Sequence, residues 1–85
     1  MSYRIDYLEE VFFQLARVPK NIRNIILKAI ENRLSVDPCR FKPLTANWQG
    51  CFRMRIGDYR IIYRVDKEAV TVLIIKTDVR GRIYE

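Results

Sequence analysis

Between Phe52 and Val65 apolar and basic residues alternate on either side of Gly57-Asp58, and this segment restricts the fold most. An apolar residue stands at every second position on each side of the pair: Phe52, Met54, Ile56, Tyr59, Ile61, Tyr63 and Val65. A period of two is typical of a strand with one buried face. A Gly-X pair is typical of a two-residue type II′ turn. The segment therefore predicts a β-hairpin in which Arg55 lies directly opposite Arg60.

The first half of the chain has the period of amphipathic helices instead. Leu8, Val11, Phe12 and Leu15 predict a helix from about Tyr7 to Arg17. Asp6 and Glu9 before it have the spacing of a capping box.

A second apolar stripe comprises Ile22, Ile25, Ile26, Ala29, Ile30 and Leu34. It predicts a helix with Pro19 in its first turn that closes at Asp37-Pro38. About two residues join the helices, so we expect a helical hairpin.

The other segments complete a β-α-α-β-β-β order. Ser2 to Ile5 alternates as a short strand, residues 39–50 form a connector, and residues 70–75 are apolar on both faces, as in a covered strand. A chain of 85 residues has room for one domain, residues 1–85. The expected fold class is α+β, with the helical hairpin on one face of a mainly antiparallel four-stranded sheet.

The hairpin register places Arg53, Arg55, Arg60 and Arg64 together on the face away from the helices. Like charges directly across a strand pair destabilise a sheet. A concentration of arginine on one face, with no acid between the arginines on that face, therefore indicates an anion site. The alternative is a solvated face whose charges prevent edge aggregation. The formal net charge of +6, with 11 arginines among 16 basic residues, favours nucleic acid as the anion.

Composition excludes several other functions. The chain has no histidine, so no histidine base or Ser-His-Asp triad is available. Cys39 and Cys51 lack the spacing of zinc ligands, and we expect neither a metal nor a cofactor. They are interpreted as buried thiols in a reducing cytosol, with a disulfide as the alternative. The apolar runs are too short for a membrane span and the start does not resemble a signal peptide, so a cytoplasmic location is expected.

The residues from Trp48 to Val65 resemble the signature stretch of RelE/ParE superfamily toxins. The Pro19-Lys20 turn and the ending from Arg80 to Tyr84 are similar to that superfamily as well. The resemblance implies a toxin of a bacterial or archaeal type II toxin–antitoxin system, with a cognate antitoxin as partner. RelE-like members enter the ribosomal A site and cut mRNA, whereas ParE-like members inhibit DNA gyrase. The first activity is expected here, with ribosome and mRNA as partners; gyrase inhibition and an inactive toxin fold are the alternatives.

The resemblance also implies a set of site residues. Its catalytic positions fall on Arg53, Arg55, Arg60, Arg80 and Tyr84. Three further cations, on the arginine-bearing face of the hairpin and in the C-terminal part of the chain, are expected to bind RNA: Arg64, Lys76 and Arg82. Two features depart from the superfamily pattern. Some RelE enzymes have lysine where Arg53 and Arg55 stand, and many relatives have histidine where this chain has Val79.

Overall fold

Two helices lie against one face of a five-stranded sheet in the computed structural model of the chain, which describes residues 2–79. The main elements are β1 (Arg4–Tyr7), α1 (Glu9–Ala16), α2 (Lys20–Ala29), β2 (Lys42–Pro43), β3 (Cys51–Ile56), β4 (Tyr59–Asp66) and β5 (Thr71–Val79). The strand order is β1-β5-β4-β3-β2, with β1 parallel to β5 and the other neighbours antiparallel. The α+β class is confirmed.

The sheet has one strand more than the sequence predicted. The additional strand, β2, has two residues, Lys42 and Pro43, which pair with Arg53 and Phe52 of β3. A strand this short has no alternation to reveal it. Proline is tolerated there because β2 lies at the edge of the sheet.

The longest strand, β5, lies between β1 and β4, which explains its apolar start. Val72 and Ile74 point into the core, while Ile75 packs on the opposite face of the sheet. The strand extends past the predicted end at Ile75 as far as Val79. A register shift opposite Ile62 and Tyr63 interrupts its pairing with β4.

The α-helices α1 and α2 are both shorter than the sequence predicted. Tyr7 is the last residue of β1, and α1 begins at Glu9 after Leu8, which makes no side-chain capping bond. The capping-box prediction was wrong because Asp6 pairs in the sheet and accepts a hydrogen bond from Arg4 at 3.0 Å. Pro19 precedes the first residue of α2, and that helix ends at Ala29.

A π-helical turn, Ile30–Leu34, follows α2 directly. It is tied to β1, because the Tyr7 hydroxyl donates a hydrogen bond to Glu31 Oε2 at 2.7 Å. Partial burial, together with the neighbouring Glu31 carboxylate, raises the pKa of Tyr7, so the phenol remains a donor.

The main core lies between the helices and the inner face of the sheet. Its buried members are Val11, Leu15, Ile26, Ile30, Leu34, Met54, Ile61, Tyr63, Val72 and Ile74. Burying an apolar side chain of this size contributes about 1.5–3 kcal/mol. Phe12 and Ile25 were predicted in the apolar stripes but are each 58% exposed. A helix turns only part of its circumference toward the sheet, and these positions lie beyond that part.

Tyr63 anchors the connector to this core. Its ring is fully buried and stacks on Phe52 with centroids 5.7 Å apart. Its hydroxyl donates a hydrogen bond to the Pro38 carbonyl at 2.5 Å. Burial raises the pKa of this phenol, with smaller contributions from Cys39 and Asp37, so it also remains a donor.

We predict that Tyr63→Phe lowers the free energy of unfolding by about 1–3 kcal/mol, because the Pro38 carbonyl loses its buried donor. Urea denaturation followed by circular dichroism measures the change. The matched control is Tyr59→Phe, at a partly buried ring on the edge of the same core, with an expected change under about 0.5 kcal/mol. Equal losses in the two variants would contradict the anchoring role.

Candidate functional site

The β3–β4 pairing follows the register predicted from the sequence. Arg55 lies opposite Arg60, and Arg53 lies opposite Ile62. Gly57 has φ +59°, and the non-glycine residues with positive φ in the described part of the chain are Ala46 and Val70. The hairpin turn therefore has positive φ at its first central position but not at Asp58, as a type II′ turn requires.

This register separates the side chains of the sheet into two sets. The set away from the helices forms the outer face, which divides into two ends. We define the basic end as Lys42, Arg53, Arg55, Arg60, Lys76 and Asp78, and the neutral end as Arg4, Asp6, Arg64, Asp66, Thr71 and Leu73. Directly opposite residues have Cβ atoms about 5 Å apart, so neighbouring charges within each end interact strongly.

The basic end contains one acid that the hairpin sequence did not reveal. Asp78 lies directly opposite Arg60, and its Oδ2 is 4.0 Å from Lys76 Nζ. Within β3 and β4 no acid lies between the arginines on this face, since Asp66 follows the last of them. The expectation fails for the complete face, because β5 extends beyond Ile75 and brings Asp78 beside Arg60. Cationic side chains still outnumber the single carboxylate five to one at this end.

The three arginines of the basic end differ in how firmly they are held. Arg55 is exposed, whereas Arg53 and Arg60 are half-buried with buried Nε atoms. Both half-buried arginines also take part in other interactions within the protein. Side chains restrained in this way lose less rotamer freedom when an anion binds.

A small apolar cluster covers the middle of the outer face. The connector folds back so that Leu44 and Trp48 pack with Cys51, Ile62 and Ile75. Lys76 Nζ lies 6.0 Å from the centre of the Trp48 ring, at the border with the basic end. Trp48 therefore covers this part of the sheet's outer face.

The structure places the predicted site residues in three groups. Arg53, Arg55, Arg60 and Lys76 are together at the basic end, whereas Arg64 belongs to the neutral end. Arg80, Arg82 and Tyr84 lie outside the described residues.

Two members of the basic end were missed by the sequence analysis. Lys42 gave no signal because β2 is so short. Asp78 could have been found by continuing the strand through the β-branched Thr77 and Val79.

The chemistry that the basic end offers is anion binding. Arginine presents a planar fork of N–H donors that matches phosphate oxygens, and lysine adds a point charge. Within residues 2–79 no group of three or more His, Cys, Asp or Glu residues is arranged to hold a metal ion. Among those same residues, no helix is both long and apolar enough to span a membrane.

Comparison with known proteins identifies the class. The family model described as the ParE toxin of type II toxin–antitoxin systems, parDE, matches residues 3–84. This is a family of toxins, and its model spans nearly the whole chain. The chain belongs to it, and with it to the RelE/ParE superfamily.

Individual relatives agree with this assignment. Toxin RelG of Mycobacterium tuberculosis is 34% identical over 85 residues, which cover 99% of this chain and 98% of RelG. The toxin–antitoxin complex RelBE2 of the same organism contains a chain with TM-score 0.89 and 32% identity, over 95% of this chain and 94% of that one. Isolated RelE of Escherichia coli has the same fold, with TM-score 0.77 and 20% identity over 96% of this chain and 88% of that one.

Because Arg55 lies directly opposite Arg60, repulsion between their charges should lower the free energy of unfolding. We predict that Arg55→Gln raises the free energy of unfolding at low salt by about 0.2–1 kcal/mol, because it removes a like-charge pair. The gain should shrink at high salt, where exposed charges are screened. Urea denaturation at two ionic strengths measures both effects.

The control for this prediction is Arg64→Gln, because Arg64 lies opposite Cys51 and Leu73 rather than a cation. It should show no such salt-dependent gain. The same gain in both variants would mean that net charge, rather than the Arg55–Arg60 pair, governs stability.

Proposed function

We propose that this toxin is a ribosome-dependent endoribonuclease that cleaves mRNA in the A site. The observation that carries the proposal is the direct pairing of Arg55 with Arg60 beside Arg53. This arrangement opposes folding, and it is useful where a polyanion has to be bound. The ribosome would hold the mRNA and the toxin would supply the charged groups.

The reaction is a transesterification within the RNA. The ribose 2′-oxygen attacks the adjacent phosphorus and gives up its proton, while the bond from phosphorus to the 5′-oxygen breaks and that oxygen is protonated. Negative charge accumulates on the phosphorane oxygens in between. Arg53, Arg55 and Arg60 would stabilise this charge, and electrostatic stabilisation of this kind is often the largest catalytic contribution.

The C-terminal residues complete the proposed site. Arg80 would add a further charge toward the phosphate. Arginine stays protonated at neutral pH and is therefore a poor base. Tyr84 is the proposed acceptor of the 2′-OH proton, a role that requires its phenolate form. Arg64, Lys76 and Arg82 would hold neighbouring phosphates. Positioning by the ribosome contributes the rest, since orientation alone supplies about 7–11 kcal/mol in favourable cases.

A second candidate function is inhibition of DNA gyrase by protein binding. The matching family model is that of ParE toxins, which favours this alternative. Such an inhibitor needs a binding surface but no nucleolytic residues. The two functions therefore differ in how they depend on Arg60.

The proposed partner in the resting cell is a cognate antitoxin. The solved relative from M. tuberculosis is a toxin–antitoxin complex. Phe12, Phe13 and Ile25 on the helices of this chain are 58%, 65% and 58% exposed. Exposed aromatic and aliphatic side chains favour a partner that lays an apolar helix face against them. Acidic residues in the same partner would complement the basic end.

The nuclease proposal predicts that Arg60→Ala and Arg80→Ala each lower cleavage roughly 100-fold or more, because a transition-state charge is lost. The free energy of unfolding is measured for each variant in parallel, because Arg60 is half-buried and interacts with other groups of the protein. Growth arrest and ribosome-dependent mRNA cleavage are measured at matched soluble protein levels. Arg17→Ala is the control, since this exposed arginine follows α1, away from the sheet's outer face.

The same assay separates the alternatives. Tyr84→Phe should reduce cleavage as strongly as the arginine variants if its hydroxyl accepts the proton, and less if its ring only stacks on a base. Full toxicity of Arg60→Ala and Arg80→Ala would reject the nuclease. Altered plasmid supercoiling with intact mRNA would then support gyrase inhibition.

The antitoxin proposal predicts that Phe13→Ser and Ile25→Ser lower recovery of the co-expressed operon partner in a pull-down. The physical reason is the loss of apolar area at the interface. Val36→Ser is the matched control, because Val36 is 70% exposed but lies outside both helices. Equal recovery with all three variants would exclude the helical side chains from the interface.

A further inference from the structure

The neutral end of the outer face contains a hollow in which Arg64 is the one residue that has a role in the proposed reaction. Its volume is roughly 330 Å³, and it is lined by Arg4, Asp6, Arg64, Asp66, Ala69, Thr71 and Leu73. The partly buried Leu73 supplies an apolar surface between the charged residues. The hollow therefore combines an apolar contact with polar groups of both signs.

The charges of the hollow are balanced, in contrast to those of the basic end. The two arginines, Arg4 and Arg64, are matched in number by Asp6 and Asp66, so the net charge of the lining is zero. Such a lining has no net attraction for phosphate. It suits an uncharged planar group whose edge carries both hydrogen-bond donors and acceptors, which is the chemistry of a nucleobase.

Several polar groups of the lining are held by neighbours. Arg4 Nη2 donates to Asp6 Oδ2 at 3.0 Å, and Arg64 Nη2 lies 3.8 Å from Cys51 Sγ. Asp66 Oδ1 accepts the backbone N–H groups of Glu68 and Ala69, each at 3.0 Å. Each arginine has five N–H donors, so one such contact leaves most of its donor capacity for a ligand.

The hollow also lies along the path that an RNA strand would follow from the basic end. Arg60 and Arg64 are both on the outer face of β4, four residues apart. At about 3.3 Å per residue this separation is roughly 13 Å. A strand whose scissile phosphate lies at Arg60 would reach the hollow a few nucleotides away.

The geometry points to a nucleobase subsite for single-stranded RNA in this hollow, an inference that rests on the proposed RNA substrate. The basic end holds phosphates and contributes affinity, whereas the hollow contacts one base and contributes sequence preference. This division follows the general rule that phosphate contacts position a nucleic acid and base contacts specify it. The base packs against Leu73 and hydrogen-bonds along its edge to the charged rim.

The test uses non-cleavable 2′-O-methyl oligoribonucleotides and backbone amide NMR of the whole protein. A dinucleotide should shift amide signals at the basic end, and a pentanucleotide should also shift those of Ala69, Thr71 and Leu73. An abasic residue at the far position of the pentanucleotide should abolish the second set of shifts. It should also weaken binding roughly fivefold or more, because the hydrogen bonds along the base edge and the contact with Leu73 are lost.

Ala69→Leu fills the hollow at an exposed position and should weaken pentanucleotide binding by a similar factor without affecting the dinucleotide. Ala16→Leu adds the same atoms at an exposed site on α1 and should change neither affinity. Asp6→Asn, compared with Glu10→Gln for the same change in net charge, should alter which base is preferred.

Two results would overturn the inference. Binding at the basic end with no shifts at the hollow, or equal affinity for the abasic pentanucleotide, would reject the subsite and leave the nuclease proposal standing. No binding of either RNA would reject the subsite, whereas the nuclease proposal is decided separately by the ribosome-dependent cleavage of the Arg60 and Arg80 variants.

Discussion

The pairing of β3 with β4 through Gly57-Asp58 is the interaction on which the other features depend. Side chains alternate between the two faces of a strand, so a slip of one residue would move every apolar group to solvent and every arginine into the core. The turn prevents this slip because positive φ at Gly57 suits glycine. Burial of Met54, Ile61 and Tyr63 on one face then forces Arg55 and Arg60 together on the other.

The strand β5 joins the two ends of the outer face. It pairs with β1 near its start and with β4 along its length, so Leu73 contributes to the neutral end and Lys76 to the basic end. The register shift between these regions accommodates Ile75, which packs in the apolar cluster beneath Trp48. The cluster separates a surface rich in cations from a surface with balanced charge.

The concentration of positive charge at the basic end lowers the stability of the folded sheet. The cations repel across β3 and β4, while Asp78 offsets part of that repulsion from β5. The core on the opposite face and the buried Tyr63–Pro38 hydrogen bond hold the sheet in spite of the repulsion. A toxin with this surface gains from a partner that neutralises it, which fits membership in a toxin–antitoxin family.

The sequence alone determined what depends on local periodicity. The alternation around Gly57-Asp58 was enough to predict the hairpin register, the core side of Tyr63 and the grouping of Arg53, Arg55 and Arg60, because a two-residue turn leaves one pairing. The helical stripes predicted two helices, and the residues from Trp48 to Val65 indicated the superfamily that the comparisons confirm.

Only the tertiary structure decided the features that depend on contacts between distant segments. It added β2, started α1 later than predicted, ended the second helical segment in a π-helical turn, and exposed Phe12 and Ile25. It also brought Asp78 beside Arg60 and assembled the neutral end from three strands that are separated in the sequence. These features depend on which strands become neighbours and on which part of each helix surface contacts the sheet. Neither leaves a periodic signal in the sequence.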